Sequence, residues 1–452
     1  MVYDIIVGRD KAEKERFGKK GTIFLGKSYV KMDQTSSLAN NILLDVARSH
    51  VILVAGKRGS GKSTSLGVIA EEMVSLPEEI SKNLSVILLD TMGIFWTMKY
   101  PNLRDEKLLQ DWNLKPKAFD VNIFVPEGYF RDYKNKGLPV DYPFTIKTSE
   151  IGGDDWCNVF NVKITDPIGV LIEGALKKLK DKEYGISDII DIIKKENFES
   201  NIKNAAINRF LNAEEWGIFA HDGTPINDLI IRGKVTILDI SAYTQTSGSW
   251  DIKNLVVGII AKKFLKERIL SRKYEELENI ESSNSLFLDT EKELEKPLVW
   301  IFLDEGHEFL PRKGKTAATD ALVQLLREGR QPGVSLVVAT QQPGEIHNDV
   351  LTQSDIVISH RLTAKVDIDA LNTMMQSYLL ENIQTFMNQL PNLKGSAIIL
   401  DDNSERIYPM RVRPKLSWHG GEAPSAIKYN KREEMEKELN IISSKLVEKK
   451  NL

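Results

Sequence analysis

Eight residues, Gly56-Lys-Arg-Gly-Ser-Gly-Lys-Ser63, match the spacing G-x-x-x-x-G-K-[ST]. Glycines at these positions let a backbone wrap a polyphosphate, while consecutive N–H groups and the N-terminus of the next helix face its charge. Lys62 is then placed to reach the β/γ oxygens and Ser63 to ligate Mg²⁺. The candidate nucleotide-binding residues are Gly56, Arg58, Gly59, Ser60, Gly61, Lys62, Ser63 and Thr64. The guanine-reading string N-K-x-D is absent, which favours ATP.

A second constellation is Leu298-Val-Trp-Ile-Phe-Leu-Asp304-Glu305. An apolar strand of this kind delivers Asp304 at its C-terminal edge, beside a Mg²⁺ held by Ser63, and Glu305 where it polarises an attacking water. The plainer reading is two acids ending a strand and capping the next helix. His307 completes a D-E-x-H string, and alone it reads as a packing or hydrogen-bonding residue. Neither H-E-x-x-H nor C-x-x-C spacing occurs, so no metal beyond nucleotide-bound Mg²⁺ is expected.

The third is Arg327-Glu-Gly-Arg-Gln-Pro-Gly-Val-Ser-Leu-Val-Val-Ala-Thr-Gln-Gln-Pro343. If Val334–Ala339 lies beside the acid-bearing strand, Gln341 emerges at the same crevice, where it bonds a γ-phosphate or the water. Arg330 precedes that strand and emerges at the opposite edge. It is then an arginine offered to a neighbouring subunit's nucleotide, or a surface partner of Glu328; spacing leaves the two level.

The elements that must hold these groups alternate. Val51–Ala55, Val86–Leu89, Val121–Val125, Lys234–Ile240, Leu298–Leu303, Val334–Ala339, Ile356–Ser359 and Ser396–Leu400 read as strands, with helical patterns after the phosphate loop and around 252–272. That alternation predicts an α/β fold with a mainly parallel sheet. Five segments are expected. Residues 1–49 form a short β-rich appendage with strands at Asp4–Val7 and Thr22–Leu25, and 50–153 the first part of the core. Residues 154–231 form a helical insertion whose second helix is capped near Ser187, and 232–420 the second part of the core, with a surface excursion at 273–296. Residues 421–452 form a charged tail, amphipathic over 425–449.

Length and charge bound the function. The 452 residues suffice for about three domain-sized units, and a formal charge of −3 supplies no global basic field for nucleic acid. Any DNA contact is local; Lys134, Lys136 and Lys147 are candidates. One cysteine, Cys157, excludes an intrachain disulfide. No apolar run approaches a membrane span, and the N-terminus is no signal peptide, which points to the cytoplasm.

Taken in order, G-K-R-G-S-G-K-S, V-I-L-L-D-T-M-G, L-D-E-G-H-E-F, E-G-R-Q-P-G-V and A-T-Q-Q-P resemble the HerA/FtsK superfamily of P-loop motors, HerA more closely. The likeness runs over roughly residues 43–420. It implies a RecA-like ATPase core in a homo-oligomeric ring, typically a hexamer, that hydrolyses ATP between subunits and translocates on double-stranded DNA, with a NurA-like nuclease partner in repair or another effector in defence. It also implies roles: Lys62 and Ser63 on the phosphates and Mg²⁺, Asp304 on the metal, Glu305 as base, Gln341 as sensor, and Arg330 and Arg361 facing the inter-subunit site. The segment R-P-K-L-S-W-H-G-G is similar to a C-terminal region that reaches over an adjacent subunit in that family.

Two departures stand out. HerA proteins begin with a longer β-barrel than 49 residues supply, and Gln342 stands where relatives carry an arginine. A transfer ATPase working at a membrane and an ATP-dependent scaffold that arranges an effector share the same core, and both stay open beside the translocase.

Overall fold

Apolar runs separated by polar turns give the strands. The computed structural model describes residues 3–32, 35–245, 249–283, 294–375 and 383–421. The strands are β1 (Ile5–Val7), β2 (Thr22–Met32), β3 (Thr35–Asp45), β4 (Val51–Ala55), β5 (Leu84–Asp90), β6 (Val121–Pro126), β7 (Tyr142–Phe144), β8 (Ile146–Lys147), β9 (Phe219–Ala220), β10 (Val235–Asp239), β11 (Leu298–Leu303), β12 (Val334–Thr340), β13 (Ile356–His360), β14 (Ser396–Asp401) and β15 (Arg406–Val412).

Among the described residues they form one 13-stranded sheet, ordered β1-β3-β2-β15-β14-β13-β4-β12-β11-β5-β10-β6-β7, and a small pair β8-β9. From β13 to β7 every pairing is parallel, so these strands end at one edge. The two middle pairings that matter most are Leu303 opposite Val338 and Thr340 opposite Ala55. They bring the ends of β11, β12 and β4 together. The strands read as continuous apolar runs because both faces are covered. Leu53, Ala55 and Leu303 face a core closed by Leu255, Ile259 and Phe264 of the helix Ser249–Ser283. Ile52, Val54 and Phe302 face a second core, closed by Leu66, Ile69 and Met73 of the phosphate-loop helix Lys62–Met73.

Several expectations are corrected. The N-terminal residues are not a separate appendage: β2 and β3 are eleven residues each and join the main sheet through β15. Adjacent polar residues, such as Lys27-Ser28 and Asn40-Asn41, interrupt the apolar pattern and hid the strands' full length. The charged segment between β1 and β2 is a helix, Lys11–Phe17, with a capping box between Asp10 and Glu13. The helix expected at 252–272 runs from Ser249 to Ser283, through part of the supposed surface excursion. Residues 153–229 hold helices Gly153–Val159, Pro167–Lys178, Ile186–Lys195, Ser200–Glu214 and Ile226–Leu229, but also β9. Gly185, not Ser187, caps the helix Ile186–Lys195; its N–H donates to Asp188 at 2.9 Å. A strand beyond Ser396–Leu400, β15, was not foreseen. The amphipathic tail at 425–449 lies outside the described residues.

Candidate active site at the C-terminal edge of the sheet

Gly56–Ser63 runs from the end of β4 into the helix Lys62–Met73. Neighbouring strand ends fix this loop: Gly56 N–H donates to Thr340 O (3.2 Å), Lys57 N–H to Arg361 O (3.2 Å), and Gly395 N–H to Ser60 O (3.3 Å). Gly61 sits at φ 120°, a conformation side-chain-bearing residues avoid. At Gly56 a Cβ atom would lie 2.5 Å from Ser60 Oγ and 2.7 Å from His360 Cβ, so only glycine permits that approach. Lys57, Arg58 and Gly59 are exposed at the turn, while Gly61 and Lys62 are buried.

The acids meet the loop from β11. Ser63 Oγ donates to Asp304 Oδ2 at 2.7 Å, and Glu305 N–H donates to Asp304 Oδ1 at 2.9 Å. Burial pushes the Asp304 carboxyl above its ordinary value, partly offset by Ser63. Burial pulls the Lys62 ammonium down, and the charges of Glu305 and Asp304 oppose that. Glu305 adopts the left-handed conformation (φ 52°, ψ 46°), which costs a non-glycine residue on the order of 1–3 kcal/mol. It does not cap the following turn with its side chain, as the plainer reading of the sequence required.

That backbone twist turns Glu305 toward β12. Gln341 Nε2 donates to Glu305 Oε1, and Glu305 Oε2 is buried without a hydrogen-bond partner among the described residues. Thr64 Oγ1 is likewise buried and unpartnered. His307 Nδ1 lies 3.1 Å from Thr340 Oγ1 and 3.7 Å from Glu305 Oε2. Gln342, unexplained by sequence, contributes its backbone: its N–H donates to Thr340 Oγ1 (3.1 Å) while the side chain is exposed.

The arrangement gathers Lys62, Ser63, Thr64, Asp304, Glu305 and Gln341 at one edge and leaves Arg330 elsewhere. Arg330 is exposed, before the N-terminal end of β12. The supposed partner Glu328 accepts instead from Gln324 Nε2 at 2.9 Å. Arg361 follows β13 beside its own phosphate loop, and its Nη1 donates to Asn392 Oδ1 at 2.9 Å. Of the candidate DNA-contacting lysines, Lys147 pairs with Glu183 and Lys134 lies in the helix Glu127–Asn135, its ammonium 5.5 Å from the Phe130 ring centroid.

Three features escaped sequence reasoning. His360 lies fully buried under the loop, with Nε2 2.9 Å from Ser65 Oγ and Nδ1 3.2 Å from Ser396 O. Burial, with the Lys62 charge, drives it down to about 4, so it is a neutral wedge. Asp90 and Asp239 end adjacent strands opposite each other. Asp90 is pushed up to about 7 by burial and then by Asp239's charge, although backbone N–H groups of Met92, Gly93, Ile94 and Phe95 donate to it. Finally, the segment Arg413–Trp418 packs on its own subunit's phosphate-loop helix. Glu71 accepts there from Ser417 N (2.9 Å), Ser417 Oγ (2.6 Å), Leu416 N (3.0 Å) and both terminal nitrogens of Arg413 (3.2 Å each). A lone glutamate in a helix gives no sequence signal of that clamp.

Comparison with known proteins fits this geometry. The profile described as helicase HerA, central domain, matches residues 34–307, and that of the helicase HerA-like C-terminal region matches 285–413. A probable helicase of Methanocaldococcus jannaschii is 23% identical over 89% of this chain and 71% of its own length. The DNA double-strand break repair helicase HerA of Pyrococcus furiosus is 24% identical over 83% of this chain and 68% of its own. The solved structure of VirB4 from Thermoanaerobacter pseudethanolicus is similar in fold, with a TM-score of 0.51 at 12% identity over 87% of this chain and 96% of that one. No described helix is long and apolar enough to cross a membrane.

Proposed function

This chain belongs to the HerA helicase family, and on that premise we propose that it is an ATP-hydrolysing motor that works as a ring on double-stranded DNA. The observation that carries the reading is the convergence of Lys62, Ser63, Asp304, Glu305 and Gln341 at the ends of three adjacent strands. The phosphate loop binds the triphosphate of ATP. Ser63 and Asp304 suit Mg²⁺, which takes few protein ligands and completes its shell with phosphate oxygens and water. Held by these two residues, Mg²⁺ would supply charge neutralisation to the triphosphate. Glu305, oriented by Gln341, takes the proton of the attacking water.

Arg330 lies at the far edge of the sheet from its own loop, which supports a role at the neighbouring subunit's nucleotide. Arg361, beside the loop, is a second arginine toward that interface. The nuclease partner in DNA repair is part of the same reading, by likeness to relatives named as double-strand break repair helicases.

The test is ATP turnover with and without duplex DNA, beside Lys62→Ala. Turnover that rises with duplex DNA and vanishes in the Lys62 variant is expected. A rate indifferent to DNA of any form overturns the translocase reading in favour of an ATP-dependent scaffold.

A further inference from the structure

Duplex DNA needs a local cationic contact on this chain, because a formal charge of −3 supplies no general attraction. Lys147, one of the lysines expected to supply it, pairs with Glu183. The basic pairs Lys177-Lys178 and Lys262-Lys263 are likewise matched, by Glu173, Glu196, Asp155 and Glu150. A different group is left open. Pro311-Arg-Lys-Gly-Lys-Thr-Ala-Ala318 lies between the turn Gly306–Glu308, just after Glu305, and the helix Thr319–Glu328. It holds three cations and no carboxylate, and Arg312, Lys313, Gly314 and Lys315 are all exposed. Gly314 makes the tip: its φ is 81°, and a Cβ atom there would meet nothing within 4 Å among the described residues. Lys315 lies 2.8 Å from Asp320, an ion pair exposed on both sides and of little worth. Lys313 has no ion pair among the described residues.

The neck of this turn is fixed. Thr316 Oγ1 and Thr319 Oγ1 both donate to Phe309 O, at 2.9 and 3.0 Å. Pro311 forms a β-bridge with Ile346, flanked by His347 N–H donating to Leu310 O (2.7 Å) and Arg312 N–H donating to Glu345 O (2.7 Å). Arg312 Nη1 donates to Gly344 O at 3.0 Å, and its Nε and Nη2 make no bond among the described residues. Leu310 is five residues past Glu305, and Gly344 is three past Gln341. The two sides of the neck therefore start from the two residues that hydrogen-bond each other in the hydrolysis site.

Surface cations are ordinarily just solvated. Two observations set this turn apart: its charges are not neutralised by the chain itself, and its neck is hydrogen-bonded to the segment that follows Gln341. Exposed cations on a held turn suit a phosphodiester backbone. Charge alone drives that contact, through release of counterions condensed on the duplex, and the contact is indifferent to sequence. We propose that Arg312, Lys313 and Lys315 bind the phosphate backbone of duplex DNA and are the contact through which DNA stimulates hydrolysis. A load on the tip reaches Glu305 along one side of the neck and Gln341 along the other. The inference rests on the duplex-DNA reading above and names its contact.

The experiment measures, on the full chain, binding to a fluorescent duplex of random sequence across a salt series, and ATP turnover with and without that duplex. In the double variant Lys313→Ala, Lys315→Ala, loss of two phosphate contacts should flatten the slope of log affinity against log salt by about 1.8 for each subunit in contact. Affinity at physiological salt should fall about tenfold or more, and the stimulation of turnover by saturating DNA should shrink. The double variant Lys313→Arg, Lys315→Arg keeps both charges and should bind and respond as the unaltered chain does. Unchanged affinity, salt slope and stimulation in the alanine variant overturn this inference alone. So does weaker binding with stimulation fully kept at saturating DNA, since the turn is then not the contact that drives hydrolysis. Equal losses in the alanine and arginine variants also overturn it, because the defect is then one of shape and not of charge. An unaltered chain that neither binds the duplex nor responds to it overturns the duplex-DNA reading itself.

Discussion

Gln341 donates its side-chain N–H to one oxygen of Glu305, and the other oxygen of Glu305 is buried with no partner among the described residues. The pair is held by two adjacent strands, so Gln341 fixes the direction of the free oxygen. General-base catalysis contributes about 10²–10⁴-fold. Glu305→Gln is therefore expected to lower single-turnover ATP hydrolysis by about 100-fold or more, with nucleotide affinity retained. Gln341→Ala should cost about tenfold, because it misdirects the base without removing it. Equal losses of affinity and turnover in Glu305→Gln would place Glu305 in binding instead.

His50 makes stability depend on alkaline pH. Burial pulls its pKa down, but hydrogen bonds to Asp355 (2.7 Å) and Asp45 (3.1 Å) hold it at about 9, above the ordinary 6.5. The stabilisation is fully present below about pH 6.5 and is lost as pH rises through about 9. Linkage puts the loss at about 3 kcal/mol. Denaturant midpoints measured across that window should fall in the unaltered chain. They should fall clearly less between pH 8 and 10 in His50→Gln, which cannot carry the charge, since Asp90 has titrated by then; parallel slopes in both would show that another group titrates.

The chemistry was legible in the sequence because each motif joins local residues: the loop Gly56–Ser63, the pair Asp304-Glu305, and Gln341 after an apolar run. The parallel strands were legible for a related reason, since burial on both faces leaves them uniformly apolar. What was hidden depends on distance. β2 and β3 carry adjacent polar residues that break the alternation, and they are strands because they pair with each other and, through β2, with β15, far along the chain. His50 and Asp355 are 305 residues apart, and neither type alone signals a network. The left-handed turn at Glu305 has no sequence mark either, because nothing in D-E-G-H requires it.

The buried carboxyl pair predicts the next pH effect. Asp90 is raised to about 7, by burial and then by Asp239, so stability tied to its protonated form is present below about 3.8 and is lost as pH rises through about 7. Asp239→Asn removes the like charge. Its amide oxygen still accepts from Ser241 N, and Lys253 keeps its bonds to Thr91 O and Thr244 Oγ1. The variant should gain roughly 1 kcal/mol over the unaltered chain at pH 8 relative to pH 5. Denaturation at the two pH values checks it, and a gain of equal size at both would exclude charge repulsion as the cause.

Glu71 ties the segment after β15 to the phosphate-loop helix. It is fully buried and faces Arg413, also fully buried, which pairs with Glu72 Oε1 at 3.0 Å as well. Removing one member of a buried pair costs about 3–5 kcal/mol when its partner is left alone, and the Glu72 contact sets the loss here toward the lower end. Glu71→Ala is therefore expected to lose stability on that scale and to expose the amides of Leu416 and Ser417, which donate to Glu71, to hydrogen exchange. Glu71→Gln keeps one acceptor oxygen and should lose less. The nucleotide loop enters the same helix at Gly61, ten residues earlier, and its hydrogen bonds to Thr340, Arg361 and Gly395 do not pass through Glu71. Nucleotide affinity in Glu71→Gln should therefore change little while exchange at Leu416 and Ser417 quickens. Protected amides at both positions in Glu71→Ala would mean that the β-bridge between Pro101 and Ser417, rather than Glu71, holds the segment.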